Sequence, residues 1–106
     1  MLTVTEPASS VRKNIVTGNQ FVGVGVASFC FELALLGQPC EGLDIDPLSD
    51  GNRIVANLVR GNGMVAVPNP ILDSFRADLS WDGTGIGNCW NANAFGTSVP
   101  PLLPPC

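Results

Sequence analysis

The stretch Glu41-Gly-Leu-Asp-Ile-Asp46, with Asp50 beyond it, is where this sequence comes closest to carrying chemistry. On an extended strand Asp44 and Asp46 share one face while Leu43 and Ile45 turn to the other. Two neighbouring carboxylates can bind calcium, or act as general acid and base on a glycoside. Calcium normally takes six or more oxygen ligands, and Asp44, Asp46 and Asp50 lack the spacing of an EF-hand loop. A solvated, turn-forming acidic edge is the plainer account, so no cofactor is expected and calcium is the one ion worth testing. Asp78 and Asp82 form a second acidic pair with no stronger claim to glycosidase chemistry. Trp81 and Trp90 could stack on sugar rings, although tryptophans in a small protein more often pack a core or a cap. Gly83-Thr-Gly-Ile-Gly87 looks like a phosphate cradle, but no amphipathic helix follows to aim its dipole at a phosphate, so it reads as a turn.

Other chemistries are excluded by residue type. The chain has no histidine and no tyrosine, which removes Ser-His-Asp and Cys-His catalysis and the commonest zinc ligand. Its formal charge is −4, so it has little cationic surface for nucleic acid or anionic lipid, and neither is expected as a partner. Cys30, Cys40, Cys89 and Cys106 are too far apart for a zinc site built on closely spaced pairs, and an even count points to two disulfides. Of three connectivities, Cys30 with Cys40 and Cys89 with Cys106 close the shortest loops and are preferred, though spacing leaves the others open. Disulfides place the chain in an oxidising compartment, secreted or periplasmic. Met1 to Ser10 shows no cationic start followed by an apolar run, so the chain reads as a mature or downstream piece of an exported protein. The longest apolar run, Leu33 to Leu36, is far below the roughly 20 residues of a membrane span.

These residues are positioned by a repeat. Laying Val11 on Ile54 brings Asn14, Val16, Gly18, Asn19 and Val22 onto Asn57, Val59, Gly61, Asn62 and Val65. Val11, Ile15 and Phe21 exchange with the similar Ile54, Leu58 and Met64. A shorter third copy in Cys89 to Phe95 sets Trp90 in the register of Ile54 and Asn93 in that of Asn57. The shift equals about two turns of a solenoid with roughly 20 to 25 residues per turn, which predicts an extra coil, Phe21 to Ile45, between the two strong copies. Each copy reads as short strand, Gly-Asn corner, short strand, because glycine and asparagine tolerate the positive φ that a corner needs. Asn14, Asn57 and Asn93 are then expected to stack as a structural ladder whose amides satisfy corner backbone groups.

Through NIVTGN, NRIVANLVRGNG and the closing WDGTGIGNCWNANAFGTS, the chain resembles the right-handed parallel β-helix repeat proteins of the pectin-lyase-like superfamily. The resemblance runs from Val11 to Cys106 and is most specific over Ala77 to Cys106, which looks like a carboxyl-terminal coil and cap. It implies an all-β fold: a short right-handed parallel β-helix with a disulfide-tied loop and a proline-rich cap. It also implies polysaccharide as the substrate or ligand class. Lyases of that superfamily pair calcium with a basic residue, which makes Arg53 and Arg60 candidates beside Asp44 and Asp46.

The expected layout is a polar lead-in over 1–10, coils over 11–67 with an excursion pinched by Cys30 and Cys40, and a last coil and cap over 68–106. Phe29 to Leu36 fits helix or strand, and Ile71 to Ala77 is expected to be a loop. Prolines 100, 101, 104 and 105 cannot donate ladder hydrogen bonds, so the tail should lie across the end of the stack, tied by Cys106. The opposite end has only the lead-in to cover it, which predicts homo-oligomerisation there. The reading is a non-catalytic structural or carbohydrate-associated β-helix module of a secreted protein. A uronate lyase, glycoside hydrolase or epimerase is the alternative.

Overall fold

The computed structural model describes residues 2–4, 9–28, 30, 33, 37 and 50–106. Ten short strands account for most of the regular structure: β1 (Leu2–Val4), β2 (Ser10–Arg12), β3 (Ile15–Thr17), β4 (Val22–Val26), β5 (Arg53–Val55), β6 (Leu58–Arg60), β7 (Ala77–Trp81), β8 (Cys89–Asn91), β9 (Ala94–Phe95) and β10 (Ser98–Val99). They form three sheets, and every strand pair among the described residues is parallel: β1-β4-β7-β10, β2-β5-β8 and β3-β6-β9. The chain therefore visits the sheets in one fixed order three times before β10 returns to the first sheet.

Three-residue strands leave room for one inward side chain each, flanked by two exposed ones in β3 and β6 and by one exposed and one half-buried residue in β5. The registers stack these residues in rows: Val11 on Ile54 on Trp90, and Val16 on Val59, with the exposed Phe95 next in that row. The first sheet differs, because β4 and β7 are buried along nearly their whole length, as expected of parallel strands covered on both faces. Val24, Val26, Ile54, Val59 and Leu79 join Val4, Val16 and Trp90 in one apolar cluster drawn from all three sheets. Burying a side chain of this size contributes about 1.5–3 kcal/mol, so this shared cluster is the main source of cohesion between the sheets. Gly23 is required beside it: a Cβ there would fall 2.5 Å from Val59 Cγ1 and 2.6 Å from the Asp78 carbonyl oxygen.

Several features depart from the sequence-based expectations. The two strong repeat copies are direct neighbours, since β2 pairs with β5 and β3 with β6 residue for residue. The expected extra coil, Phe21 to Ile45, does not separate them: its part Val22–Val26 is a strand of the first sheet, and most of the remainder lies outside the described residues. The expected lead-in contains β1, which forms the edge of the first sheet. Leu2 and Val4 supply the apolar residues for it, and the first sheet thereby gains a fourth strand. The expected loop after Ile71 opens instead with one helical turn, Pro70–Asp73. Asn69 caps that turn by accepting from the Ile71 and Leu72 N–H groups, and Pro70 supplies a preset φ at the first helical position. The segment is held by Asp73, which accepts from the Val67 N–H and from Arg76 Nε, while Arg76 donates to the Gly63 carbonyl. Most of Phe29 to Leu36 lies outside the described residues, although Cys30 and Leu33 are helical.

The carboxyl-terminal residues cross the end of the second sheet. The Trp90 N–H donates to the Pro104 carbonyl, Pro105 bridges to Trp90, and Leu103 packs on the apolar cluster. A Cys89–Cys106 disulfide ties the tail down. Cys30 is disulfide-bonded as well, and Cys40, its expected partner, lies outside the described residues.

Candidate functional site

The polar side chains that converge in this molecule do so at the corners between sheets. At the corner after the second sheet, the chain turns through Lys13, Ala56 and Ala92, all with φ between 55° and 58°. Each is followed by an asparagine. Asn57 Oδ1 accepts from the Asn14 N–H at 3.0 Å and from Asn14 Nδ2 at 3.1 Å. Asn93 Oδ1 accepts from the Asn57 N–H and Nδ2, both at 3.0 Å. Asn57 Nδ2 also donates to the Val11 and Val55 carbonyls, and Asn93 Nδ2 to the Ile54 carbonyl. These contacts join Asn14, Asn57 and Asn93 in one hydrogen-bonded column whose acceptors all point toward the amino-terminal end.

The other two corners repeat the device with contacts that the sequence reading did not predict. Asn52 Oδ1 accepts from the Ser9 N–H, and Asn88 Oδ1 accepts from the Asn52 N–H and Nδ2. At the third corner Asn62 Oδ1 accepts from the Asn19 N–H and Nδ2, and the partner below Asn62 is a carboxylate. Asp78 Oδ1 accepts from the Asn62 N–H and Nδ2 at 2.9 and 3.0 Å, and its Oδ2 accepts from the Gly96 and Thr97 N–H groups. An aspartate fits here because the last pass offers two backbone donors, and only a carboxylate has a second acceptor oxygen for them. Asp78 is 3% exposed. Burial pushes its carboxyl up, but the donors from Asn62, Gly96 and Thr97 outweigh that and hold it below the usual value. The available signal was the dipeptide Gly-Asn, present at 18–19, 51–52, 61–62 and 87–88.

The residues expected to carry chemistry are not brought together among the described ones. Asp44 and Asp46 lie outside the described residues. Asp50 Oδ1 accepts from the Ile86 N–H at 2.7 Å, which ties a turn to the start of β5. Arg53 and Arg60 are exposed on β5 and β6. Asp82 accepts from the Ser28 N–H and from the Thr84 N–H and hydroxyl, so both its oxygens serve local structure. Trp90 is buried, the Trp81 ring packs against it at a tilt of 48° with centroids 5.4 Å apart, and the Trp81 indole N–H donates to the Thr84 carbonyl. The two rings pack on each other and do not form one flat, open sugar platform. The buried Trp90 Nε1 has no hydrogen-bond partner among the described residues. No three metal-ligating side chains gather among the described residues.

No family model, curated protein or solved structure matches this chain. Its function therefore has to be argued from its own geometry. No helix among the described residues is long and apolar enough to cross a membrane.

Proposed function

We propose that this chain is a structural module of an exported protein, built as a short right-handed parallel β-helix of the pectin-lyase-like kind. The fixed order of visits to three parallel sheets, one apolar cluster shared by them and an asparagine at each corner all support that reading. The observation that carries the structural role is what the conspicuous polar groups do. Asn57, Asn62 and Asp78 are almost fully buried and use their side-chain hydrogen-bonding atoms on the corners above and below them. Groups committed in this way hold a shape and are not free to meet a substrate. The disulfide between Cys89 and Cys106 supports an oxidising compartment, periplasmic or extracellular.

Carbohydrate association and polysaccharide cleavage are the readings to test against this one. Affinity electrophoresis through soluble glycans, and ultraviolet detection of unsaturated uronates on pectin and alginate with and without calcium, address both. The structural role predicts unretarded migration and a flat absorbance trace. Retardation, or calcium-dependent uronate release abolished by Asp46→Asn, would replace it with the binding or lyase reading.

A further inference from the structure

Asn62 and Gly63 form the only Asn-Gly dipeptide in the chain, and two separate demands of the third corner put those residues side by side. The corner needs the asparagine. Asn62 is 2% exposed, its Oδ1 accepts from the Asn19 N–H and Nδ2, and its Nδ2 donates to the Val16 and Arg60 carbonyls and to Asp78 Oδ1. A close approach needs the glycine. Gly63 holds φ 71°, and a Cβ there would fall 2.6 Å from the Ala77 nitrogen and 3.0 Å from the Phe21 carbonyl oxygen. At the other corners the equivalent asparagines are followed by bulkier residues, Arg53 after Asn52 and Leu58 after Asn57. Asn-Gly is the sequence in which asparagine deamidates most readily, because glycine has no side chain to shield its own nitrogen or restrict its φ.

In that reaction the Gly63 nitrogen loses its proton to solvent base and attacks Asn62 Cγ. A bond forms between the two atoms, the Cγ–Nδ2 bond breaks, and the departing nitrogen takes a proton from water and leaves as ammonia. Water then opens the cyclic imide at either carbonyl, which yields aspartate or isoaspartate. The closed corner blocks each requirement. The Gly63 N–H donates to the Asn19 carbonyl at 2.9 Å, which aims the nitrogen away from the carboxamide. Turning the carboxamide toward it would break the bonds on both Oδ1 and Nδ2 inside a buried site.

We propose that Asn62–Gly63 is a spontaneous modification site, kept silent by the folded third corner, whose deamidation in an opened chain bars that corner from closing again. Aspartate at 62 has no amide to donate to the Val16 and Arg60 carbonyls, and its carboxylate would face Asp78 Oδ1, where the amide now sits at 3.0 Å. Two buried carboxylates at that separation do not both stay ionised. Asp78 is accepted at the same corner because the Asn62, Gly96 and Thr97 donors surround it, whereas the groups around Nδ2 of Asn62 are acceptors. Isoaspartate routes the backbone through Cβ, which moves the Gly63 N–H off the Asn19 carbonyl and the Gly63 carbonyl off Arg76. The reaction runs one way, so a transient opening of the frame becomes a permanent one.

The test incubates the wild-type chain in mildly alkaline buffer, folded and in urea, and follows it by tryptic digestion and mass spectrometry. Peptide Gly61–Arg76 carries Asn62 together with Asn69, whose neighbour Pro70 has no N–H with which to attack. Peptide Ile54–Arg60 carries Asn57 as an internal control. In urea the first peptide should show the mass change of amide to acid well ahead of the second. In the folded chain that change should be at least about tenfold slower, the suppression that even a local opening equilibrium gives. Asn62→Asp installs the product directly and should lower the urea midpoint or prevent folding. Asn69→Asp makes the same change at an exposed helix cap and should keep the wild-type midpoint. Equal rates in the folded chain and in urea, no conversion of Asn62 in urea, or an Asn62→Asp variant with the wild-type midpoint overturns the proposal.

Discussion

Truncating the three asparagines of the Asn14–Asn57–Asn93 column one at a time should cost different amounts, set by position and not by residue type. Asn57 in the middle makes five side-chain hydrogen bonds: two accepted from Asn14 and three donated, to Val11, Val55 and Asn93. Each bond contributes about 0.5–1.5 kcal/mol net, and partners left buried without replacement raise the cost. Asn57→Ala should therefore destabilise by about 3–5 kcal/mol, a large part of the 5–15 kcal/mol typical of a domain. Asn93→Ala loses two accepted bonds and one donated bond, for about 2–3 kcal/mol. Asn14→Ala loses only the donations from Nδ2, to the Arg12 carbonyl and Asn57, since its backbone N–H still reaches Asn57 Oδ1. That should cost about 1 kcal/mol or less. Urea titration followed by tryptophan fluorescence, at constant slope, measures all three. Equal losses, or a loss at Asn14 matching that at Asn57, would refute the column as the source of corner stability.

Ala56 holds φ 58° where the equivalent turns at the other corners use glycine. The left-handed region costs an ordinary residue about 1–2 kcal/mol, and the extra freedom of glycine in the unfolded chain returns about 0.5–1 kcal/mol of that. Ala56→Gly should then raise the urea midpoint by an amount worth about 0.5–1 kcal/mol, and an unchanged or lower midpoint counts against the corner geometry. Asp78 has a folded-state carboxyl held below its ordinary value of 3.8, so its contribution is present above that pH and is lost as the pH falls through the lower folded value. Acid titration of Asp78→Asn should show a shallower loss of stability below pH 4 than the wild type, from a lower starting point, because the new amide would face the Gly96 and Thr97 donors with a donor of its own. Identical acid profiles would remove Asp78 as the cause. Cys106→Ser releases a loop of 17 residues, which chain entropy puts at about 3 kcal/mol. It should also shift tryptophan emission to the red as the tail leaves Trp90, and a stable variant with unshifted emission would contradict the capping role.

What could be read from the sequence was the part written in residues that recur. Val11 to Val22 and Ile54 to Val65 resemble one another because both must present one inward aliphatic per short strand and an asparagine at the same corner, and their alignment is the register of β2 on β5 and β3 on β6. The spacing misled because connectors of unequal length separate equivalent strands. Steps from Asn14 to Asn57 and from Asn57 to Asn93 span 43 and 36 residues, while the first sheet sets Leu2 beside Val24, Val24 beside Leu79 and Leu79 beside Ser98. A constant period is legible only where nothing is inserted. The Asn52–Asn88 contact escaped notice because its copies share little beyond Gly-Asn. The Asn62–Asp78 contact was hidden by a change of residue type that only the neighbouring Gly96 and Thr97 donors explain. Asp78 itself was read as a possible acid for catalysis, since a sequence shows a carboxylate but not the four N–H groups around it.

The bonds between Asn62 and Asp78 have a consequence for how this architecture can vary. They join residues 16 positions apart, and the stretch from Gly63 to Arg76, with its single helical turn and its Asp73–Arg76 ion pair, contributes no strand to any sheet. Foreign peptide spliced between Met64 and Asn69 would therefore enter and leave at fixed points, so this bend is a natural mounting place for cargo that the frame need not accommodate.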